Sequence, residues 1–376
     1  MERIEIRLRA NWWQKCEAAG FYFYKHESGL PYWNEAACYR FSTKEVEELK
    51  TASATLHKMC LQAVDFVIRK NRFPQLRIPP DFASLCCKSW LRGDAPFLGR
   101  FDLVYDGAHP PKLLEYNADA ATTLLESGAV QWAWLQEVYP NQSQFNSIHE
   151  KLLATFSQRG YLQNQILYFS CVRDSEEDLG TVEYLRNVAI QAGVQTQHIF
   201  IEDIGWNETQ RIFCDLNEQQ IGNLFTLYPW DWLLQDPFGR YLLEEPMRLL
   251  EPAWKMILSS KAILPILWEL FPNHPNLLPS YYDRCQLDYP YVSKPVFSLK
   301  GENITIHNQK GVYKTPGSYA DEPLIYQAYC PPPQFNGYYP IIGSWIIDQQ
   351  AAGIGIREDS GPITQDSSFF VPHYIC

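Results

Sequence analysis

The sequence lacks the signals of an exported or membrane-spanning protein. Its N-terminal segment, MERIEIRLRANWWQKCEAAG, has neither an apolar core stretch nor a small-residue cleavage site. No apolar run approaches the roughly 18 residues that a bilayer-spanning helix needs. These absences lead us to expect a cytoplasmic protein with no membrane contact.

Zinc-type cysteine spacing and basic runs are also absent. The 10 cysteines are scattered, with no CxxC and no Cys/His cluster at zinc-ligand spacing, so free thiols in a reducing compartment are expected. The chain has 32 Lys and Arg against 43 Asp and Glu, a formal charge of −11, and no run of basic residues. Such a chain gains little from a phosphate backbone, so nucleic acid is not an expected partner. A local basic pocket for a small anion remains compatible with this charge.

The remaining composition is that of a globular protein with several lobes. Its 46% apolar and 20% charged residues are ordinary values, which excludes a disordered chain, a collagen-like repeat or a disulfide-rich miniprotein. Its 376 residues exceed what one hydrophobic core usually holds. The 12 Trp and 23 Tyr indicate large buried rings or clefts lined by rings.

Hydrophobic periodicity divides the chain into three regions. Region 1–160 contains an amphipathic helix from Ser42 to Asn71, then two strand-like segments that flank the turn DGAHPPK. Region 161–250 alternates strand, helix and strand, which predicts a small parallel α/β lobe. Region 251–376 has one apolar helix followed by several strands, which predicts an antiparallel α+β lobe. The expected fold class is therefore mixed α+β and α/β.

The two strand-like segments carry the strongest chemical signal. If they pair as a hairpin about the turn, Asp102 lies opposite Glu115 and Arg100 lies opposite Asn117, all on one face. Carboxylate and amide oxygens are ligands that Mg²⁺ prefers, and Mg²⁺ commonly brings substrate phosphates with it. An exposed polar face with an Arg100–Glu115 ion pair is the alternative. Two facing carboxylates repel each other without a cation, which favours the metal.

Further charged positions have both a functional and an ordinary interpretation. Lys261 precedes an apolar helix and Lys294 lies within an otherwise apolar strand, so both could contact a triphosphate or simply be solvated at element edges. Arg357 ends a strand and could be a surface residue. Glu176 and Glu177 could bind a cationic amine, or could merely favour a helix N-terminus.

At these residues the sequence resembles the glutathionylspermidine synthase family, a family of ATP-grasp acid–amine ligases. The resemblance runs through the synthetase part over most of the chain and is closest to short members that have no amidase domain. Its densest blocks are GRFDLVYDG, LLEYNADAATTLLESGAVQW, EPAWKMILSSKAILPILWELF, YVSKPVFSLKGENI, IYQAYCPPP and AGIGIREDSG.

The resemblance implies a set of site residues. The implied magnesium ligands are Asp102, Glu115 and Asn117. The implied ATP-binding residues are Arg100, Phe101, Asp102, Lys261, Lys294, Gly301, Gln327, Ala328, Tyr329 and Arg357. Within this set, Arg100 would stabilise the transferring phosphoryl group, Arg357 would reach the triphosphate, and the loop at Gly301 would cover the phosphates. The acidic pair Glu176 and Glu177 would lie near the amine.

The implied fold is an ATP-grasp-like structure with a central antiparallel hairpin, a small parallel α/β lobe and a C-terminal antiparallel lobe. The implied reaction uses ATP and Mg²⁺ to join a small-molecule acid to an amine through an acyl phosphate. The chain departs from glutathione-handling members at 120–123, where it has Ala-Ala-Thr-Thr in place of serines and a cysteine, and at Ile341, where they have a polar residue. The first departure argues against glutathione as the acid.

Two functions of other kinds remain alternatives. A carbohydrate-acting hydrolase or glycan-binding protein would also use many aromatic rings and paired carboxylates. The set of lysines and arginines counts against it, because glycoside hydrolysis does not require them. A nucleotide-binding protein without turnover is the other alternative, and the complete set of implied ligands counts against it.

Overall fold

A computed structural model gives the structure of residues 1–26, 29–162 and 164–376. The strands are β1 (Glu2–Glu5), β2 (Ala37–Phe41), β3 (Leu98–Val104), β4 (Lys112–Asn117), β5 (Ile166–Cys171), β6 (Gln195–Phe200), β7 (Gly205–Asn207), β8 (Ile212–Cys214), β9 (Asn223–Thr226), β10 (Arg248–Leu250), β11 (Ser280–Tyr281), β12 (Tyr291–Pro295), β13 (Thr305–Asn308), β14 (Gly311–Lys314), β15 (Leu324–Ala328), β16 (Tyr339–Ile347), β17 (Gln350–Asp359), β18 (Phe369–Val371) and β19 (His373–Ile375). The α-helices are α1 (Trp12–Ala18), α2 (Thr43–Lys70), α3 (Pro80–Arg92), α4 (Gln131–Val138), α5 (Ile148–Gln158), α6 (Glu176–Gln191), α7 (Trp230–Leu233), α8 (Met256–Ser259) and α9 (Ile263–Leu270).

The central sheet is antiparallel and contains the predicted hairpin. Its order is β18-β17-β16-β3-β4, so β3 is covered by a strand from the other end of the chain. That strand, β16, has the sequence YPIIGSWII and is buried almost throughout, as expected of a run of apolar residues between two neighbours. The sheet therefore crosses the predicted division at 250/251, since β3 and β4 belong to the first region and β16–β18 to the last.

A second antiparallel sheet, in the order β11-β15-β12-β13-β14, is built wholly from the C-terminal region, as predicted. The predicted parallel lobe is also confirmed. Its four strands, in the order β10-β9-β5-β6, are all parallel, and α6 connects β5 to β6. The chain is thus a mixed α/β protein with several sheets.

The long predicted helix is α2. Ser42 caps its N-terminus in a capping box with Glu45, as the spacing of the two residues predicts. Its apolar side packs against β16 and β17, where the hydroxyls of Ser53 and Ser344 lie 2.6 Å apart. The sheet β1-β2-β19 then joins the two ends of the chain, a pairing that local periodicity does not reveal.

The chain after β4 stays irregular up to Thr123 and becomes helical at Leu124. Residues Glu126–Val130 form a π-helical turn that leads into α4. Thr123 has a left-handed backbone with φ 68°, and both the Thr122 carbonyl and the Thr123 hydroxyl accept hydrogen bonds from Arg100. This long-range contact holds the segment in a loop.

The core contains the large rings that the composition indicates. Trp33, Trp134, Trp254 and Trp345 are among the largest fully buried side chains. All ten cysteines are free thiols. Within the described ranges, no helix is both long and apolar enough to cross a membrane.

Candidate active site

The hairpin of β3 and β4 has the predicted register. Arg100 pairs with Asn117 and Asp102 pairs with Glu115, and the register shifts just after Asp102. Because side chains alternate along a strand, these four residues share one face of the sheet. Two carboxylates, an amide and a guanidinium are therefore neighbours on this face.

Arg100 is buried and is held by its own neighbours. Its Nε and Nη2 donate to the two carboxylate oxygens of Asp102 at 2.8 and 3.2 Å. Its Nη1 donates to the carbonyl of Thr122 at 2.7 Å and to the hydroxyl of Thr123 at 3.2 Å. The Asn117 amide nitrogen also donates to Asp102, at 3.2 Å. Arg100 therefore fixes the position of the Asp102 carboxylate. The predicted alternative of an Arg100–Glu115 pair does not occur.

Phe101 lies on the opposite face of the hairpin. Its ring stacks on Tyr116 with centroids 4.0 Å apart, and it is fully buried. The side chain thus belongs to the core. Phe101 could therefore contact a nucleotide only through its backbone.

Lys261 reaches the carboxylate face from the segment before α9. Its Nζ lies 3.2 Å from Glu115 Oε2 and donates to the carbonyl of Ser298 at 2.6 Å. Its side chain is only 10% exposed. It is therefore not the solvated edge residue of the ordinary interpretation.

Lys294 approaches from β12 and is 5% exposed. Its Nζ donates to the Leu114 carbonyl at 2.9 Å and to the Gln327 side-chain oxygen at 2.7 Å. The Gln327 amide nitrogen is in turn anchored on the Leu113 carbonyl at 3.2 Å. Gln327 thereby orients Lys294, a side-chain role that the sequence did not indicate.

The charged groups of this cluster shift one another's pKa values. Burial acts to raise the pKa of Glu115, but the ammonium groups of Lys261 and Lys294 outweigh it and lower the pKa to about 2. Burial, with the Lys261 charge, lowers the pKa of Lys294 to about 8, although Glu115 opposes the shift. Burial also raises the pKa of Asp102, against the influence of Arg100.

A cavity opens beside this cluster. Its polar wall is formed by Asp102, Glu115, Lys261 and Lys294. Its apolar wall includes Val104, Leu114, Val292, Ile304, Ile306, Ile341 and Ile363. One wall suits a charged group and the other suits a flat apolar ring.

The segment Gln327–Tyr329 also lines this cavity. The backbone N–H groups of Ala328 and Tyr329 donate to the carbonyls of Pro279 and Pro290, at 2.8 and 3.2 Å. Both donors are therefore engaged in the fold. Neither of these two N–H groups is therefore free to bind a ligand.

Gly301 closes the cavity from a loop between β12 and β13. Its φ is +73°, and a Cβ there would lie 2.2 Å from the Thr364 carbonyl oxygen. Only glycine fits both the left-handed backbone and the close approach. The loop thus packs tightly on residues 363 and 364, which also line the cavity.

Arg357 lies in β17, paired with Ile341 of β16. One of its Nη atoms donates to the Gln365 carbonyl. Its Nε is buried and has no hydrogen-bond partner among the residues that the structure describes. A buried donor of this kind has a large free-energy cost unless a ligand or water satisfies it.

The two glutamates at the start of α6 have different environments. Glu176 is exposed, whereas Glu177 is half-buried and faces Lys300, with its Oε2 3.8 Å from the lysine Nζ. Lys300 belongs to the same loop as Gly301 and also pairs with Asp366 at 2.7 Å. Of the two glutamates, only Glu177 is placed towards the cavity loop.

The chain is similar to known proteins in sequence and in fold. Residues 3–376 match the family profile described as "Glutathionylspermidine synthase preATP-grasp". The chain is 38% identical to a Haemophilus influenzae protein provisionally named as an acid–amine ligase, over 96% of each chain. It is 28% identical to the trypanothione synthetase of Crithidia fasciculata, over 84% of this chain and 53% of that protein.

A more distant relative is the bifunctional glutathionylspermidine synthetase/amidase of Escherichia coli, which is 25% identical over 89% of this chain and 58% of its own length. Among solved structures, the apo form of a glutathione synthetase-like effector from Globodera pallida aligns with a TM-score of 0.60 and 10% identity. The alignment covers 97% of this chain and 96% of that one. It establishes a shared fold.

Proposed function

The chain belongs to the glutathionylspermidine synthase family, and on that premise we propose that it is an ATP-dependent acid–amine ligase that joins a carboxylate to an amine. The observation that carries the proposal is the convergence of Asp102, Glu115, Lys261 and Lys294 on one cavity. No single strand or helix supplies this set. A chain that folds to bring two lysines against facing carboxylates has the parts that phosphoryl transfer needs.

ATP fits the cavity by its chemistry. The apolar wall would hold the adenine ring near Gln327, Ala328 and Tyr329, and the lysines would bind the phosphates as point charges. The unpartnered Nε of Arg357 would find an acceptor in a phosphate oxygen. Ile341 borders this cavity as well, which supports its predicted place beside the nucleotide.

A divalent cation fits the carboxylate face. Asp102 and Glu115 are neighbours in the register, and their oxygens with the amide oxygen of Asn117 are ligands of the hard type that Mg²⁺ prefers. Within the described residues no group of three His, Cys, Asp or Glu side chains could hold a metal by itself. We therefore propose Asp102, Glu115 and Asn117 as a set that is completed by phosphate oxygens. Bound Mg²⁺ supplies neutralisation of phosphate charge.

The proposed reaction has two stages. A substrate carboxylate attacks the γ-phosphate to give an acyl phosphate and ADP, and an amine then displaces phosphate to form the amide. Lys261 and Lys294 position the phosphates, and Arg100 stabilises charge that develops on the transferring group. The structure offers no reason to invoke a covalent enzyme intermediate.

Glu177 is the proposed contact for a cationic part of a substrate, and Glu176 would contribute only through its charge. The comparison of Glu176→Gln with Glu177→Gln tests this assignment. We expect the Michaelis constant for the amine to rise in Glu177→Gln more than that for ATP. If the Michaelis constant for the amine is the same in both variants and in the parent, the two glutamates only favour the N-terminus of α6.

The experiment that tests the ligase assignment is a screen for ADP release with ATP and Mg²⁺. Acids would include glutathione and free amino acids, and amines would include spermidine, diamines and amino-acid amines. Glutathione and spermidine are included because the name of one relative, a glutathionylspermidine synthase, combines them. Hydroxylamine in place of the amine traps an acyl phosphate as a hydroxamate. We expect at least one acid to give both ADP and a hydroxamate. If no acid gives either product while ATP binds, the chain is a nucleotide-binding protein without turnover.

A further inference from the structure

A second cavity lies against the first. The two cavities share Glu115 and Lys261 as lining residues. The second is therefore next to the place where the proposed phosphoryl chemistry occurs. Its other walls come from the end of β4 and the loop after it, α7, α8, and the segment after β12.

The charge of the second cavity is negative. Its charged lining residues are Glu115, Asp119, Asp231 and Lys261, three carboxylates against one ammonium. The nucleotide cavity, by contrast, has two of each: Asp102 and Glu115 with Lys261 and Lys294. The charged groups that line the first cavity thus sum to zero, which suits an anion with a bound metal ion. Those that line the second have an excess of negative charge.

Asp119 and Asp231 are distant in sequence and meet at this cavity. Asp119 is 8% exposed, and one of its oxygens accepts the backbone N–H of Trp230 at 2.9 Å, which ties it to the start of α7. Asp231 is half-buried and makes no ion pair with any described residue. Burial, together with repulsion from Asp119, raises the pKa of Asp231 to about 7. A cation between the two carboxylates would relieve this repulsion.

An unpartnered hydroxyl lies in the same wall. Ser298 is 7% exposed and lines the cavity, and its Oγ has no hydrogen-bond partner among the described residues. Its carbonyl is already used by Lys261. Buried hydroxyls are rarely left without a partner, so this one indicates a ligand or a water molecule at the cavity.

We propose that this second cavity binds the primary ammonium group of the amine substrate, through the carboxylates of Asp119 and Asp231 and the hydroxyl of Ser298. A primary ammonium has three N–H donors, and the cavity offers three acceptor groups. The inference rests on the proposed function, because an acid–amine ligase must bind an amine beside its phosphoryl site. It places one ammonium group of that amine at residues that the sequence did not single out, and Glu177 remains the proposed contact for a second cationic group.

The walls favour an alkylammonium ion over a second metal ion. Ala120, Leu258, Ile263, Leu264, Phe297 and Leu299 line the cavity and would contact the carbon chain of an aliphatic amine. A metal ion would make no use of these apolar side chains.

Calorimetric titration of 1,4-diaminobutane into the full chain tests the proposal without turnover. The chain would be saturated with Mg²⁺ and a non-hydrolysable ATP analogue. We expect the parent protein to bind this amine and not to bind the uncharged analogue 1,4-butanediol. Asp231→Asn and Asp119→Asn should each lower the affinity for the amine by about 10–100-fold, the usual effect of losing one charge-assisted hydrogen bond. Ser298→Ala should weaken it less.

The matched control is Asp174→Asn, which changes an exposed aspartate in the loop before α6. It should bind the amine as the parent does. Affinity for the ATP analogue, measured on every variant, shows that the fold is intact. Because Ser298→Ala removes one small polar atom, it provides a folded variant even if an aspartate substitution unfolds the chain.

Three outcomes would overturn the proposal: the parent does not bind the amine, Asp231→Asn binds it as tightly as the parent, or Asp231→Asn weakens Mg²⁺ binding without nucleotide and leaves the amine unaffected. The last outcome would make the cavity a metal site. The ligase assignment is judged separately by ADP and hydroxamate formation. An amine that binds through Asp231 in a chain that forms neither product would support this site and contradict the proposed function.

Discussion

Lys294 shows how its neighbours prepare a residue for binding an anion. It lies in a strand, is almost fully buried, and is oriented by Gln327 and the Leu114 carbonyl. Burial lowers its pKa to about 8. The charged ammonium form is therefore less stable, relative to the neutral amine, than it is in an exposed lysine. A bound triphosphate would reverse this by stabilising the charged form.

The pH dependence of ATP affinity tests this role of Lys294. The free protein loses the Lys294 proton as pH rises through about 8, whereas the complex keeps it, so binding must take up a proton above that pH. We expect the dissociation constant of ATP to rise with pH, by at most about tenfold per unit, between about pH 7 and about pH 9.5. Lys294→Met should bind ATP more weakly at neutral pH and with little pH dependence. A constant parental affinity in calorimetry over this range would contradict the assignment.

Arg100 differs from Lys294 because its donors are already engaged with Asp102, Thr122 and Thr123. We expect Arg100→Ala to lower turnover by about 10²–10³-fold, the effect of losing a donor that acts in the transition state, and to change ATP affinity only slightly. ADP release and ATP titration measure the two effects. Arg7→Ala, at an exposed arginine, is the matched control. Parental turnover in Arg100→Ala would show that the arginine only supports the hairpin.

At the scale of elements, the site depends on how the hairpin and the loop are held. Lys255 is buried and donates to the Leu98 carbonyl at 2.5 Å and the Ala118 carbonyl at 2.6 Å. It thereby joins the start of β3 to the end of β4. It is paired with Glu251 at 2.9 Å, so its charge is compensated. The hairpin can then present its carboxylates in a fixed register.

The loop at Gly301 is the second such element. Gly301→Ala would place a Cβ 2.2 Å from the Thr364 carbonyl, so the loop must shift relative to residues 363 and 364, which line the cavity with it. We expect ATP affinity to fall by at least about tenfold, if the displaced loop loses one charge-assisted contact. Gly311→Ala is the control, because Gly311 also has a positive φ but has nothing within 4 Å of the added Cβ. Equal ATP affinity in the two variants, measured by titration, would exclude a role for the loop in nucleotide binding.

At the scale of the whole molecule, the cavity proposed to bind the nucleotide lies between the two five-stranded sheets. Asp102 and Glu115 come from the sheet that contains the hairpin, and Lys294 comes from the sheet β11-β15-β12-β13-β14. A ligand that contacts both sheets must couple their stabilities. Nucleotide binding should therefore be visible in the thermal unfolding of the entire chain.

We expect ATP with Mg²⁺ to raise the melting temperature, and ATP with EDTA to raise it much less. A ligand that binds only the native state adds about 2.7 kcal/mol to the free energy of unfolding at a hundredfold excess over its dissociation constant. The metal matters because Asp102 and Glu115 would otherwise repel the phosphates. Differential scanning fluorimetry measures the shift. A melting temperature that is indifferent to nucleotide, with or without metal, would contradict the proposed ATP site and favour the carbohydrate-binding alternative.

The sequence by itself determined the local elements and the hairpin register. Alternation with period two placed Arg100, Asp102, Glu115 and Asn117 on one face, and the spacing of Ser42 and Glu45 marked the start of α2. These features depend on neighbours within one strand pair or one helical turn. The long blocks shared with the family indicated the fold and the class of reaction.

Only the tertiary structure decided which residues share a cavity. It placed β16 beside β3, brought Lys261 to Glu115, separated Glu177 from Glu176, and joined Asp119 to Asp231. None of these features leaves a periodic signal, because each depends on elements that lie far apart in the sequence. Their positions follow from the packing of sheets and helices as whole bodies, which hydrophobic burial drives without regard to the distance along the chain.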